Sequence, residues 1–206
     1  MTDSQLHLVH SFALLGLHRN GQRAISAPAF DCGLAGALLA ELNAAGRIGL
    51  KDGRVVVLDG APLGAALPDR ALERIKAEGK PRYPVWWVLR LGSAGLREAV
   101  LGELVQQGEV RAEEVRVLGI FPSERFPEAD SAPERRLRTR LGAVLDGTGE
   151  PAPGDATLVA LCRAAGLLHK ELDDSPKERV TELAVGNWTT VAVYRAIEEL
   201  SYVWVG

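Results

Sequence analysis

Few residues in this 206-residue chain are spaced for chemistry. His7 and His10 lie three apart in SQLHLVHSFALLGL, which would set two imidazoles on one helix face, as a metal pair requires. No third ligand follows at useful spacing, so two ordinary helical histidines carry more weight. Cys32 and Cys162 stand far apart in apolar helical contexts, which suits buried thiols in a reducing compartment better than a disulfide. Arg135, Arg136, Arg138 and Arg140 form the greatest local excess of positive charge. A solvated helix face with Glu134 and Asp146 as partners explains them better than an anion or membrane-surface patch. There is no GxxxxGK(S/T) phosphate loop, no HExxH, no CxxC and no nucleophile elbow around a serine. No cofactor is expected. These absences weigh against an enzyme, although residues distant in sequence could still assemble a site.

The elements that must position such residues are mostly helices. Residues 31–58 (DCGLAGALLAELNAAGRIGLKDGRVVVL) predict an amphipathic helix and then a tight hairpin. Asp31 is the expected N-cap, and Leu34, Leu38, Leu39, Leu42 and Ala45 form one apolar face. Gly46 is the expected stop, and Asp52-Gly53 is a two-residue hairpin turn. Residues 95–120 (GLREAVLGELVQQGEVRAEEVRVLGI) repeat the pattern without a gap. Gly33/Gly95, Leu34/Leu96, Leu39/Leu101, Glu41/Glu103, Leu42/Leu104, Gly46/Gly108, Arg54/Arg116 and Val55/Val117 are identical pairs. The register of glycines and strand residues indicates two related helix–hairpin units.

Elsewhere, residues 4–17 predict a helix with Leu6, Val9, Phe12 and Leu15 or Leu17 inward, and Asn20-Gly21 a small hairpin turn within 16–25. A charged helix is expected over 68–78, with Leu72 and Ile75 apolar. Trp86 and Trp87 are core anchors in one reading and membrane-interface residues in the less favoured one. Residues 118–127 hold two Phe and two Pro. They read either as a loop folded back on the core or as a protruding hairpin tip that marks a membrane or partner contact. A helix over 132–145 should turn Leu137, Leu141, Val144 and Leu145 inward. After the loop 146–154, which could separate subdomains, residues 155–168 are the most apolar helix and are expected at the centre. A charged helix over 173–185 follows. Asn187 should cap a last helix over 188–200 with Val191, Val193, Tyr194, Ile197 and Leu200 mostly inward, and the Tyr-Val-Trp-Val end should pack on the body.

The hydrophobic content is 47% and the charged content 25%, as in ordinary soluble globular proteins. A net charge of −3 gives no global attraction to nucleic acid or acidic membranes, so such binding needs a local basic patch. A helix followed by a two-stranded wing also suggests a winged-helix DNA reader. That reading is disfavoured, since 31–46 contains no Lys or Arg. No targeting signal and no apolar run of ~20 residues is present, so the chain is expected to be cytoplasmic, and peripheral if it meets a membrane.

The order and spacing of LLGLHRNGQ, GLAGALLAELNAAGRIGL, ALERIKAEGKP, GLREAVLGELVQQGEV, VRVLGIFP and NWTTVAV resemble the Golgi phosphoprotein 3 family, including its bacterial members. The resemblance covers nearly the whole chain as one domain, 1–206. It implies a mainly α fold: a helical bundle core with surrounding amphipathic helices and small β-hairpins. It also implies a non-enzymatic peripheral membrane adaptor. Eukaryotic members bind phosphatidylinositol 4-phosphate and hold the cytosolic tails of glycosyltransferases. Carried over residue by residue, the headgroup site falls on Ser26, where the family has an aromatic residue, and on Ala35, Ala94 and Arg97, where it has arginines. Only Arg97 is retained. A positively charged hollow beside it is expected, with Arg90, Arg19 or Arg23 as compensating cations. The hairpin over 117–126, with Ile120, Phe121 and Phe126, is the implied membrane or oligomer contact. Expected partners are therefore an anionic phospholipid surface, protein tails and further copies of the chain, but not nucleic acid. The alternative is a soluble scaffold that self-associates through that hairpin and has lost lipid binding.

Overall fold

The computed structural model describes residues 7–93, 95–117, 121–129, 132–167 and 187–203. They form, in order, α1 Leu8–Leu15, α2 Ala27–Ala44, β1 Ile48–Lys51, β2 Arg54–Val57, α3 Ala66–Ala77, α4 Pro84–Gly92, α5 Leu96–Gln106, β3 Glu113–Val117, β4 Phe121–Arg125, α6 Ala132–Leu145, α7 Asp155–Ala164 and α8 Trp188–Val203. The fold is mainly α with two small antiparallel hairpins, as expected.

α2 is the axis. It starts earlier than its apolar spacing predicts, because Ser26 is the N-cap: its Oγ accepts the Ala29 amide at 3.4 Å. Pro28 stands in the first turn, where a missing N–H costs nothing. Asp31 therefore lies inside the helix and does not cap it. Residues 32–40 are all buried, because α1, α3, α4, α5, α7 and α8 all pack against this helix. A helix apolar on every side belongs in a core, so the expected one-sided stripe is too narrow. Close approach needs small residues. A Cβ on Gly33 would fall 2.0 Å from Phe12 Cζ, and one on Gly36 would fall 2.2 Å from Val193 Cγ2. α7, expected at the centre, lies beside α2 and packs on α1, α2, α6 and α8.

The two repeat units end their helices alike and then part. Gly46 and Gly108 take φ of +68° and +76°. The next amides, of Arg47 and Glu109, donate back to Leu42 and Leu104 carbonyls at 2.8 and 2.9 Å, which is the Schellman closure. In the first unit β1 and β2 then pair across Asp52 and Gly53 (φ +51° and +71°). In the second, β3 covers the positions equivalent to the end of β1, the turn and the start of β2, and it pairs forward with β4, from Glu113 opposite Arg125 to Val117 opposite Phe121. Val110 extends this ladder by bridging Glu128. The second hairpin is thus longer than the first, and its tip, 118–120, lies outside the described residues.

Other expectations are met or adjusted locally. Val9, Phe12, Leu15 and Leu17 are all buried, as are Leu72, Ile75, Leu137, Leu141, Val144 and Leu145. The Asn20-Gly21 turn yields one bridge, Leu17 to Arg23, and no strands. α3 begins at Ala66 because Asp69 accepts the Leu63 and Gly64 amides at 2.6 and 3.0 Å. Trp87 is a core anchor, whereas Trp86 is half-buried with the Arg82 guanidinium 4.7 Å from its ring. Within the arginine run, Arg138 pairs with Glu134, and Arg140 pairs with Asp155, not with Asp146. Asn187 caps α8 through the Thr189 and Thr190 amides. Val191 and Tyr194, however, are 51% and 54% exposed, because α8 turns Thr189, Ala192, Val193 and Ala196 inward. One continuous apolar core runs from Val9 to Ala196 across the 146–154 loop. Residues 173–185 and the terminal Trp204-Val205 lie outside the described residues. No described helix is long and apolar enough to cross a membrane.

Candidate functional site

A groove of about 880 Å³ opens where three separated parts of the chain meet. α5 contributes Arg97, Glu98, Leu101, Gly102 and Val105, a spacing that keeps them on one helical face. The start of α2 contributes Ser26 and Ala27, and the turn before it contributes Arg23. The base of the second hairpin closes the far side with Glu124, Arg125 and Phe126. Gly21 holds this wall in place. Its carbonyl accepts the Phe126 amide at 3.3 Å, and a Cβ there would fall 2.3 Å from the Pro127 nitrogen. The sequence marks Gly21 only as a turn residue; the backbone that presses on it belongs to a hairpin a hundred residues away.

Arg97 faces this groove, but its charge is already matched. Its Nε donates to Asp31 Oδ1 at 2.7 Å and its Nη2 to Asp31 Oδ2, a two-point fork. The side chains are 25% and 22% exposed. These hydrogen bonds hold the Arg97 proton more firmly still than a guanidinium ordinarily does. The expected positively charged hollow is corrected on this point: the hollow exists, yet Asp31 neutralises its retained arginine. The reason is the longer α2, which carries Asp31 away from the helix end and opposite α5.

The other predicted residues are scattered. Ser26 lines the groove, with its hydroxyl engaged as the α2 cap. Arg90 is exposed in the last turn of α4 and does not line the groove. Arg23 does line it, and Arg125 does so unforeseen. Only the pairing of β3 with β4 places Arg125 there, and no local pattern announces that pairing. Phe126 belongs to the groove wall at the hairpin base, packed on the core, and not to the tip. Ile120 lies outside the described residues, and Phe121 opens β4.

The two histidines have partners the sequence did not suggest. His10 Nε2 lies 3.0 Å from Glu103 Oε2, and His7 Nδ1 lies 3.8 Å from Glu41 Oε1. Glu41 also accepts the Val9 amide at 3.1 Å. Glu41 and Glu103 are the equivalent carboxylates of the two repeat units, so both units grip α1 through a histidine. Burial pushes the His10 pKa down, against the pull of Glu103, and pushes that of Glu41 up. Among the described residues no trio of His, Cys, Asp or Glu is placed to hold a metal ion. Cys32 and Cys162 are buried free thiols, each pushed up to about 12 by burial.

The buried axis, the duplicated helix–hairpin units and the groove between them can be set beside known proteins. Comparison with curated proteins finds no match. The family model described as Golgi phosphoprotein 3 (GPP34) matches residues 8–200, and with that span the chain belongs to the Golgi phosphoprotein 3 family.

Proposed function

We propose that this protein is a non-enzymatic peripheral membrane adaptor that takes an anionic phospholipid headgroup in the α2–α5 groove. The observation that carries the reading is the convergence of Arg23, Arg97 and Arg125 from three chain segments on one concavity. Two helix N-termini open on it. α5 begins at Gly95, which has no side chain to cap the first-turn amides, and Glu98 in that turn offsets part of their positive charge. Because Asp31 matches Arg97, Arg23 and Arg125 supply most of the attraction. Family membership supports the same reading, since the resemblance implies lipid-headgroup binding at this part of the fold.

A second reading has one observation in its favour. β3 and β4 pair only with each other among the described strands, and an unpaired strand edge can template association between copies. The chain would then be a scaffold that self-associates through the second hairpin. One experiment separates the two: flotation with vesicles carrying anionic lipids, together with measurement of oligomeric state. Arg23→Gln with Arg125→Gln should reduce vesicle binding several-fold with unchanged oligomeric state. Arg97→Gln should reduce it further, because it leaves the Asp31 carboxylate unmatched beside the groove. Vesicle binding that survives all three substitutions rejects the groove. Dissociation of an oligomer by Ile120→Asp and Phe121→Asp, with no vesicle binding to lose, favours the scaffold.

A further inference from the structure

The charge around the groove limits which headgroup it can take. Arg23, Arg97 and Arg125 line it together with Glu98 and Glu124, and Asp31 holds Arg97 through both of its carboxylate oxygens. The formal charges of this set cancel. The Arg97 edge that carries Nε and Nη2 is one of the two edges on which two oxygens of one phosphate can sit side by side. Asp31 already occupies it, so a bound anion is left the other edge of a guanidinium whose charge is already matched. A phosphomonoester carries about −1.5 to −2 charges near pH 7 and would enter with its second charge unmatched beside Glu98, Glu124 and Asp31. A phosphodiester carries a single charge, which it spreads over two oxygens.

We infer that the groove selects a monoanionic phosphodiester headgroup over a phosphomonoester, and that Asp31 is the residue that sets this preference. The inference rests on the headgroup reading above and adds the class of headgroup to it. Asp31 acts as a resident anion: by matching Arg97 it leaves the groove without the net positive charge that a second phosphate charge would require. Its removal should convert the groove from one class to the other.

The test is vesicle flotation at matched surface charge. Phosphatidylcholine vesicles carry either phosphatidylglycerol, a phosphodiester, or phosphatidylinositol 4-phosphate at about a third to two-fifths of that mole fraction, since its phosphodiester adds one charge to those of its phosphomonoester. The wild-type chain should prefer the first. Asp31→Asn keeps the side-chain shape but removes the charge, and should shift the ratio of affinities toward the phosphomonoester by about tenfold or more. Glu98→Gln, at an exposed position, adds the same unit of charge without breaking the Arg97–Asp31 pair and should shift the ratio less, by a few-fold. It serves as the readout if Asp31→Asn does not fold. Wild-type preference for phosphatidylinositol 4-phosphate, or an unchanged ratio in both folded variants, overturns the inference and leaves the headgroup reading standing. Failure of the wild-type chain and both variants to bind either vesicle overturns that reading itself. Inorganic phosphate is the free-anion arm: a gain in phosphate affinity for Asp31→Asn, with none for vesicles, overturns the lipid assignment.

Discussion

His10 is a buried imidazole whose Nε2 meets Glu103, while its Nδ1 has no hydrogen-bond partner among the described residues. Desolvation keeps it neutral in the folded chain at pH values where the unfolded chain, near the ordinary 6.5, would take up a proton. Its stabilising contribution is therefore complete above that value and is lost as the pH falls through the lower folded one. Glu41 works in the opposite direction. Its raised folded pKa contributes stability below the ordinary 4.5, and that contribution is lost as the pH rises through the folded value. The two signs oppose each other, so replacing His10 alone isolates its share of an acid titration. From about pH 7.5 to about pH 5.5 the Tm of the wild-type chain should fall more steeply than that of His10→Gln. Parallel slopes in a thermal-denaturation series would show that the cluster does not titrate as described.

At the scale of the element, the repeat is real in its helix stops and broken in its strands. Gly33 and Gly95 align, yet they are glycine for different reasons. Gly33 admits the Phe12 ring between α1 and α2, and Gly95 starts α5 from a left-handed φ of +73°. α8 shows how packing selects a helix face. Apolar spacing favours Val191 and Tyr194 as inward, but a helix that approaches Gly36 closely must present small residues, and the Thr189–Ala192–Val193–Ala196 face does so. Val191→Lys should change stability by no more than about 0.5 kcal/mol. Val193→Lys buries an unpaired charge against α2 and should cost more than about 3 kcal/mol. Urea denaturation of the two variants decides the matter, and equal losses would put the wrong face inward.

For the molecule as a whole, the question is whether the duplicated units form one cooperative body. The core runs unbroken from Val9 to Ala196, and two thiols report on it from different helices, Cys32 in α2 and Cys162 in α7. With both pKa values pushed up to about 12, neither thiol should react with an alkylating reagent while the chain is folded, since the thiolate is the nucleophile. Both should become reactive at the same denaturant midpoint, as a single cooperative transition requires. Separate midpoints in a mass-spectrometric labelling series would show two units that open independently.

The residues dictated whatever depends on near neighbours in the chain. Helical spacing, the Asp-Gly turn, the glycine stops and the Asn187 cap are all short-range, and α6 falls over 132–145 as its apolar spacing predicts. The order of these elements was enough to suggest the family. The site was only half legible. Arg97 could be found through the family resemblance, but Asp31 stands 66 positions from it, and no pattern of that length ties a carboxylate to a guanidinium. Arg125 enters the groove because β3 pairs forward, a choice between two strand partners that only packing makes. Local sequence chooses each element's shape, whereas distant contacts choose which of its faces is used and which charge it meets there.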